Sequence, residues 1–324
     1  MLNLHPNIIS PSEEPFALYF YDKYKNKVKW TDYEISNFVD EFWLMAEQSL
    51  ELYYTSKEKL YSELIKHKDA LNYKLLCNVV YMQFYEPKPK SEINIIIDKQ
   101  IKYFFCLKKI LKIFPDSKFI ILVRDPKVNA ISKKNRNLNI GKNPMYLAAL
   151  WNNTYKNINY LESKNKSVLV VKYEDLVSNP SHILKTICDY IEIKYIDDLL
   201  NTEGVFENFL NIQKHKLTNT ELNYLKDFHS SLFKKINQEK IHLQEHDLDS
   251  TSHDKIVKLT KPLLIKYKYL SDFINSKKTV VFNIYDYWQI LIAYLYRPIL
   301  LLIYFKTPLS IKLWIKKFKK ITSQ

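Results

Sequence analysis

Residues 93–97 and 119–123 are short apolar runs of the kind that a strand buried on both faces shows. A helical pattern of Ile101, Phe104, Phe105, Lys108 and Leu111 lies between them. This strand, helix, strand order predicts an α/β fold, a parallel sheet flanked by helices. Pro115-Asp116 ends the helix. Arg124 then falls at the carboxyl end of the second strand, the edge at which open parallel sheets hold ligands. Asp125 suits an N-cap and Pro126 a first helical residue. A new helix is therefore expected to start at once, with its amide dipoles aimed at the same edge.

The cations at this edge are unusual for the chain. Of 49 Lys plus Arg in 324 residues only three are Arg, and two of them, Arg124 and Arg136, bracket this segment. Lysine serves almost everywhere else, so a guanidinium suggests a task that a point charge does poorly, such as gripping a phosphate with a planar fork. Ser132 lies about two turns into the expected helix and Arg136 one turn further, on the same face. An arginine at a strand end, a hydroxyl and a second arginine can clasp a phosphate. The same residues also fit a solvated basic helix start with an incidental serine, and local physics leaves both readings open.

Further motifs follow in order: Asp98-Lys99, then Tyr103, then Phe-Pro-Asp-Ser-Lys-Phe-Ile-Ile-Leu-Val-Arg-Asp-Pro at 114–126, Ser132, Trp151, and Val-Lys-Tyr-Glu-Asp-Leu-Val-Ser-Asn-Pro at 171–180. This series resembles the PAPS-dependent sulfotransferases over roughly residues 1–270, in their protein-tyrosine or bacterial glycan-type branch. The resemblance implies a P-loop-like parallel sheet and 3′-phosphoadenylyl sulfate (PAPS) as sulfate donor. It also implies that Arg124, Ser132 and Arg136 bind the donor's 3′-phosphate and that Tyr173 lies against adenine. Lys99 matches a lysine near the transferring sulfuryl group, although the family's Thr-Pro after it is replaced by Gln100-Ile101. The chemistry suits these residue types. Sulfuryl transfer to a hydroxyl is an in-line displacement that builds charge on the leaving phosphate, so it calls for fixed cations and a base.

The amino terminus departs from the family. Met-Leu-Asn-Leu-His-Pro-Asn-Ile resembles the end of the helix that follows the family's 5′-phosphosulfate loop, but the loop and the strand before it do not occur in this sequence. A backbone that wraps phosphate wants glycine, and the two glycines, Gly141 and Gly204, stand in no such setting. In related folds that strand lies inside the sheet, so its loss is expected to leave two strand edges unpaired. Either the polypeptide starts about 20 to 40 residues earlier, enough for a strand, loop and helix turn, or this is a shortened relative that has lost donor binding. The intact 3′-phosphate residues favour the first. In Pro-Ser-Glu-Glu-Pro at 11–15, Glu14 or Glu13 is the candidate base toward the acceptor hydroxyl, by resemblance to the protein-tyrosine branch; two solvated glutamates in a Pro-bounded loop is the competing reading.

Composition adds bounds. A content of 47% hydrophobic and 15% aromatic residues is ample for a core, and a net charge of +14 suits an anionic donor, an acidic acceptor, nucleic acid or an anionic membrane surface. Lysine spread through a Lys-, Ile- and Asn-rich chain produces the same charge with no binding role. Cys77, Cys106 and Cys188 are few and scattered, so neither a disulfide frame nor a metal site is expected, and a reducing, cytoplasmic setting fits. The eight histidines form no metal-ligand spacing. No basic stripe with interleaved aromatics suggests nucleic-acid binding.

Along the chain, residues 33–64 read as one or two helices with Ile35, Phe38, Val39, Phe42, Met45 and Ala46 on one face. Residues 144–161 form another, with Trp151 as a core aromatic. Residues 167–171 are a third buried strand, ending near Tyr173. Asn179-Pro180 caps a helix with Ile183, Leu184, Ile187 and Ile191 inward, and residues 253–267 are a closing helix. The sulfotransferase-like domain is placed at 1–271 and a hydrophobic, basic helical extension at 272–324. Residues 288–305 are apolar but broken by Arg297-Pro298, too short and kinked for a clean transmembrane helix. Ile311, Trp314, Ile315 and Phe318 then share a face, with Lys312, Lys316, Lys317, Lys319 and Lys320 around the rest. That pattern fits a helix lying on anionic lipid, and equally a helix packed on the domain or on a second subunit.

Together these features predict sulfate transfer from PAPS, without a metal, to a hydroxyl of a glycan, lipid or protein tyrosine, by a cytoplasmic protein with a peripheral membrane tail. A non-catalytic nucleotide- or membrane-binding relative is the alternative, and a basic nucleic-acid binder the least supported.

Overall fold

The computed structural model describes residues 1–11, 16–47, 56–84, 92–134, 143–213, 218–228, 248–270 and 280–308, with 311 and 314. Of the sequence-predicted site residues, Glu13, Glu14 and Arg136 lie outside this set, as does most of the lysine-rich face after residue 311. The chain begins with strand β1 (Ile8–Ile9) and runs through the helices α1 (Phe16–Tyr19), α2 (Tyr21–Tyr24), α3 (Asp32–Glu47), α4 (Lys57–Lys66) and α5 (Tyr73–Tyr81) to β2 (Ile95–Ile96). Then come α6 (Leu107–Ile113), β3 (Phe119–Val123), α7 (Pro126–Lys134), α8 (Pro144–Lys156), α9 (Ile158–Ser163) and β4 (Val168–Lys172). Helices α10 (Tyr173–Ser178), α11 (Pro180–Tyr190), α12 (Val205–Gln213), α13 (Asn219–Phe228), α14 (Ser250–Lys266) and α15 (Ile284–Lys306) complete it.

The strands pair in parallel, β1 with β2 and β3 with β4, and among the described residues no strand joins the two pairs. The expected parallel α/β arrangement is present, with helices around it. Its three anticipated strands are found, at 95–96, 119–123 and 168–172. Burial on both faces is not complete. Ile121 and Val123 turn toward Trp151, Tyr155, Leu263 and Tyr267, whereas Leu122 on the other face is 46% exposed. Strand alternation puts neighbouring residues on opposite faces, and only one face of β3 is filled by that aromatic cluster.

The pattern anticipated for the crossover helix is divided. A 3-10 turn at Ile101–Phe105 precedes α6, the break falls at Cys106, and Ile101 is exposed rather than inward. The tighter first turn brings Tyr103 back to the carboxylate of Asp98, to which its hydroxyl donates. The six residues assigned to one face of the 33–64 segment are all buried on α3, where Phe38 and Phe42 join Phe16, Phe20, Leu76 and Val80 in the largest core. Asn179 caps α11 by accepting from the His182 amide, and Leu184 and Ile187 are buried as expected, with Ile183 and Ile191 half-buried.

The amino terminus is tied down through buried His5. The Asn7 amide donates to its Nδ1, so the proton sits on Nε2, which donates to the Lys194 carbonyl at 2.9 Å. At the other end, α15 lies against α8. Asn152 Nδ2 donates to the Tyr294 hydroxyl at 2.9 Å, and Asn283 and Asp286 form a capping box. Buried Asp286 also pairs with Lys255 of α14 at 2.6 Å. Removing one partner of such a pair strands the other charge. Asp286→Ala is therefore expected to cost roughly 3 to 5 kcal/mol in urea unfolding, against about 1 kcal/mol for the cap alone in Asn283→Ala.

Candidate functional site

The site is built by strand register. Val123 stands opposite Lys172 in the β3–β4 ladder, so the next residues, Arg124 and Tyr173, leave the two carboxyl ends side by side. The guanidinium carbon of Arg124 sits 4.5 Å from the centroid of the Tyr173 ring. A guanidinium over a ring directs its N–H groups outward in its own plane, the direction in which such a group grips an oxyanion.

The backbone beneath is fixed from several sides. Trp151 Nε1 donates to the Arg124 carbonyl at 2.9 Å, and the Tyr155 hydroxyl donates to that of Leu122 at 2.8 Å. Glu174 accepts from the Asp125 amide at 3.1 Å and from the Tyr269 hydroxyl at 2.6 Å, with Lys172 Nζ 4.8 Å over the Tyr269 ring. Burial and this hydrogen bond to Glu174 push the Tyr269 phenol well up.

Asp125 caps α7 as expected, its Oδ1 accepting from the amides of Lys127 at 2.7 Å and Val128 at 3.4 Å. Burial raises its carboxyl pKa; Lys127, 3.8 Å away, and the two amides oppose the shift. Helix α7 buries Ala130 and Ile131 against α8, and Ser132 beside them is half-buried, two turns from Arg124 along the helix.

Lys99 lies at the carboxyl end of the other strand pair, after β2. It is exposed, yet the walls around it desolvate its ammonium and lower its pKa. Its neighbour Asp98 accepts from the hydroxyls of Tyr81 and Tyr103, and from Gln100 Nε2 at 2.9 Å. Gln100, which stands where the resemblance expects threonine, thus has a defined task in this chain.

Desolvation raises the Asp98 carboxyl pKa above its ordinary 3.8, and the hydrogen bonds from Tyr103, Tyr81 and Gln100 oppose that rise. A carboxyl raised in the folded state contributes stability that is fully present below the unfolded value and lost as pH rises through the folded one. Unfolding of the wild type and of Asp98→Asn from pH 4 upward is expected to show the wild type's stability, relative to the variant, falling as pH rises.

The structure therefore brings Arg124 and Tyr173 into contact, places Ser132 on the helix that starts beside them, and sets Lys99 at the end of the second strand pair. Sequence reasoning assigned no role to Tyr81, Glu174 or Tyr269. Glu174 lies inside the Tyr-Glu-Asp-Leu motif, but nothing in the sequence points to its partner 95 residues away. Among the described residues no group of His, Cys, Asp and Glu could hold a metal ion.

The solved structures similar to this chain include two sulfotransferase domains. The sulfotransferase domain from the Synechococcus PCC 7002 olefin synthase has 18% identity and a TM-score of 0.49, over 81% of this chain and 87% of that one. The sulfotransferase domain from the curacin biosynthetic pathway has 17% identity and a TM-score of 0.45, over 80% of this chain and 90% of that one. No curated protein matches the sequence. The model of the sulfotransferase family matches residues 1–198, a stretch that runs from β1 through both strand pairs and contains Lys99, Arg124, Ser132 and Tyr173. Since that match covers more than half of the chain, the protein belongs to the sulfotransferase family.

Proposed function

We propose that this chain moves a sulfuryl group from PAPS to a hydroxyl of a glycan, lipid or tyrosine acceptor. The observation that carries the reading is the stack of Arg124 on Tyr173 at the adjoining carboxyl ends of β3 and β4. One face of the Tyr173 ring is taken by the guanidinium, and adenine stacks on the remaining aromatic surface. The in-plane N–H groups of Arg124 bind the 3′-phosphate together with the Ser132 hydroxyl and Arg136. Lys99 stabilises charge on the leaving oxygen. Its depressed pKa brings its proton closer to transfer, which suits a group facing a departing phosphate. Glu14 or Glu13 takes the acceptor proton.

The competing reading is a nucleotide-binding relative without transfer activity. Calorimetry with adenosine 3′,5′-bisphosphate, followed by transfer of radiolabel from sulfur-labelled PAPS to glycan, lipid and tyrosine acceptors, separates the two. Binding with transfer supports the enzyme, and binding without transfer supports the relative. No binding defeats both. Within the enzyme reading, Lys99→Ala is expected to reduce the transfer rate at least about 100-fold while leaving bisphosphate affinity within a few-fold.

A further inference from the structure

Helix α15 buries one face and exposes another of the wrong chemistry for water. Asp286, Ala293 and Leu301 are buried, and Ile290 and Tyr294 pack with Ala293 toward α8. Ile284, Trp288, Leu291, Leu295, Ile299 and Ile303 follow one another at steps of three or four and are 47 to 90% exposed. That spacing makes one continuous apolar stripe about 29 Å long, and among the described residues no element covers it. Single exposed apolar side chains are ordinary on a protein surface, but a stripe of this length is not.

We propose that this stripe is a docking surface for an anionic phospholipid bilayer, on which α15 lies in the plane of the headgroups. Charge decides between a bilayer and a second copy of the chain. The molecule carries +14, and after α15 the sequence adds Lys312, Lys316, Lys317, Lys319 and Lys320. Two copies meeting on this face would bring like charges together, whereas an anionic surface complements them. The helix presents no carboxylate to repel lipid, because its only acidic residue, Asp286, is buried against Lys255. Tyr285, Tyr287 and Trp288 are exposed at its amino end, and side chains with an apolar ring and a polar tip collect at the headgroup level. No described helix is long and apolar enough to cross a membrane. This surface is independent of the nucleotide site.

The test is co-sedimentation of the full chain with phosphatidylcholine vesicles, with and without phosphatidylglycerol. The chain is expected to pellet with the anionic vesicles, less so as salt rises, and to remain largely in solution with the neutral ones. Leu291→Glu and Leu295→Glu alter side chains directed away from α8, so far-UV dichroism should be unchanged while the partition coefficient falls about tenfold or more. Recovery in the supernatant with both vesicle types overturns the proposal. So does equal partition to both, and so does a dimer in sedimentation velocity that Leu295→Glu dissociates in a chain that binds no lipid.

Discussion

Arg124→Ala is expected to weaken adenosine 3′,5′-bisphosphate binding about 100-fold, the equivalent of two charge-assisted hydrogen bonds. Arg124→Lys should recover little of it. Lysine restores the charge but neither the planar fork nor the flat cation over the Tyr173 ring, whose centroid lies 4.5 Å from the guanidinium carbon. Calorimetry on both variants, with dichroism to establish that β3 and β4 still form, reads the effect. Equal affinity for wild type and Arg124→Ala would remove the nucleotide from this strand end. The alanine variant tests whether the residue binds an anion, and the lysine variant tests whether shape matters beyond charge.

Trp151 shares with Asp286 the largest expected effect on stability. It is 2% exposed, packs with Tyr155 at a centroid distance of 4.8 Å, and its indole N–H satisfies the Arg124 carbonyl. Trp151→Ala opens a cavity between α8 and β3 and should cost about 3 to 5 kcal/mol in urea unfolding. Trp151→Phe keeps most of the packing but leaves that carbonyl without its donor, for about 1 to 3 kcal/mol. The phenylalanine variant is the more informative. Because the lost hydrogen bond holds the backbone of Arg124 itself, its bisphosphate affinity should fall together with its stability. A stability loss with unchanged affinity would mean that the ladder to β4 alone positions the guanidinium.

What could be read from the sequence is local or periodic. The cap at Asp125, the cap at Asn179 and the buried face of α3 each follow from residues within a few positions of one another, and the structure has all three. The apolar runs gave the strands because burial leaves a continuous signature. Contacts between distant residues have no such signature. Tyr81 reaches Asp98 across 17 positions and Tyr269 reaches Glu174 across 95, and neither tyrosine differs in type from the other aromatics around it. The split at Cys106 was hidden for a related reason. A 3-10 turn and an α-helix share nearly the same apolar spacing over one turn, and a tertiary hydrogen bond to Asp98 selects the tighter form. Leu122 departs from burial on both faces because a run of apolar residues states what a strand could bury, whereas its neighbours determine what it does bury.

The pairing of Val123 with Lys172 has a further consequence for how this protein tolerates change in length. Residues added between α9 and β4 extend a surface connection and leave the ladder as it is. A single residue added within β4 displaces its remainder by one step, and because side chains alternate, Tyr173 would then emerge on the opposite side of the sheet from Arg124. The spacing between these two side chains is thus quantised by the pleat, and insertions or deletions inside 168–172 should abolish their contact in whole steps rather than by degrees.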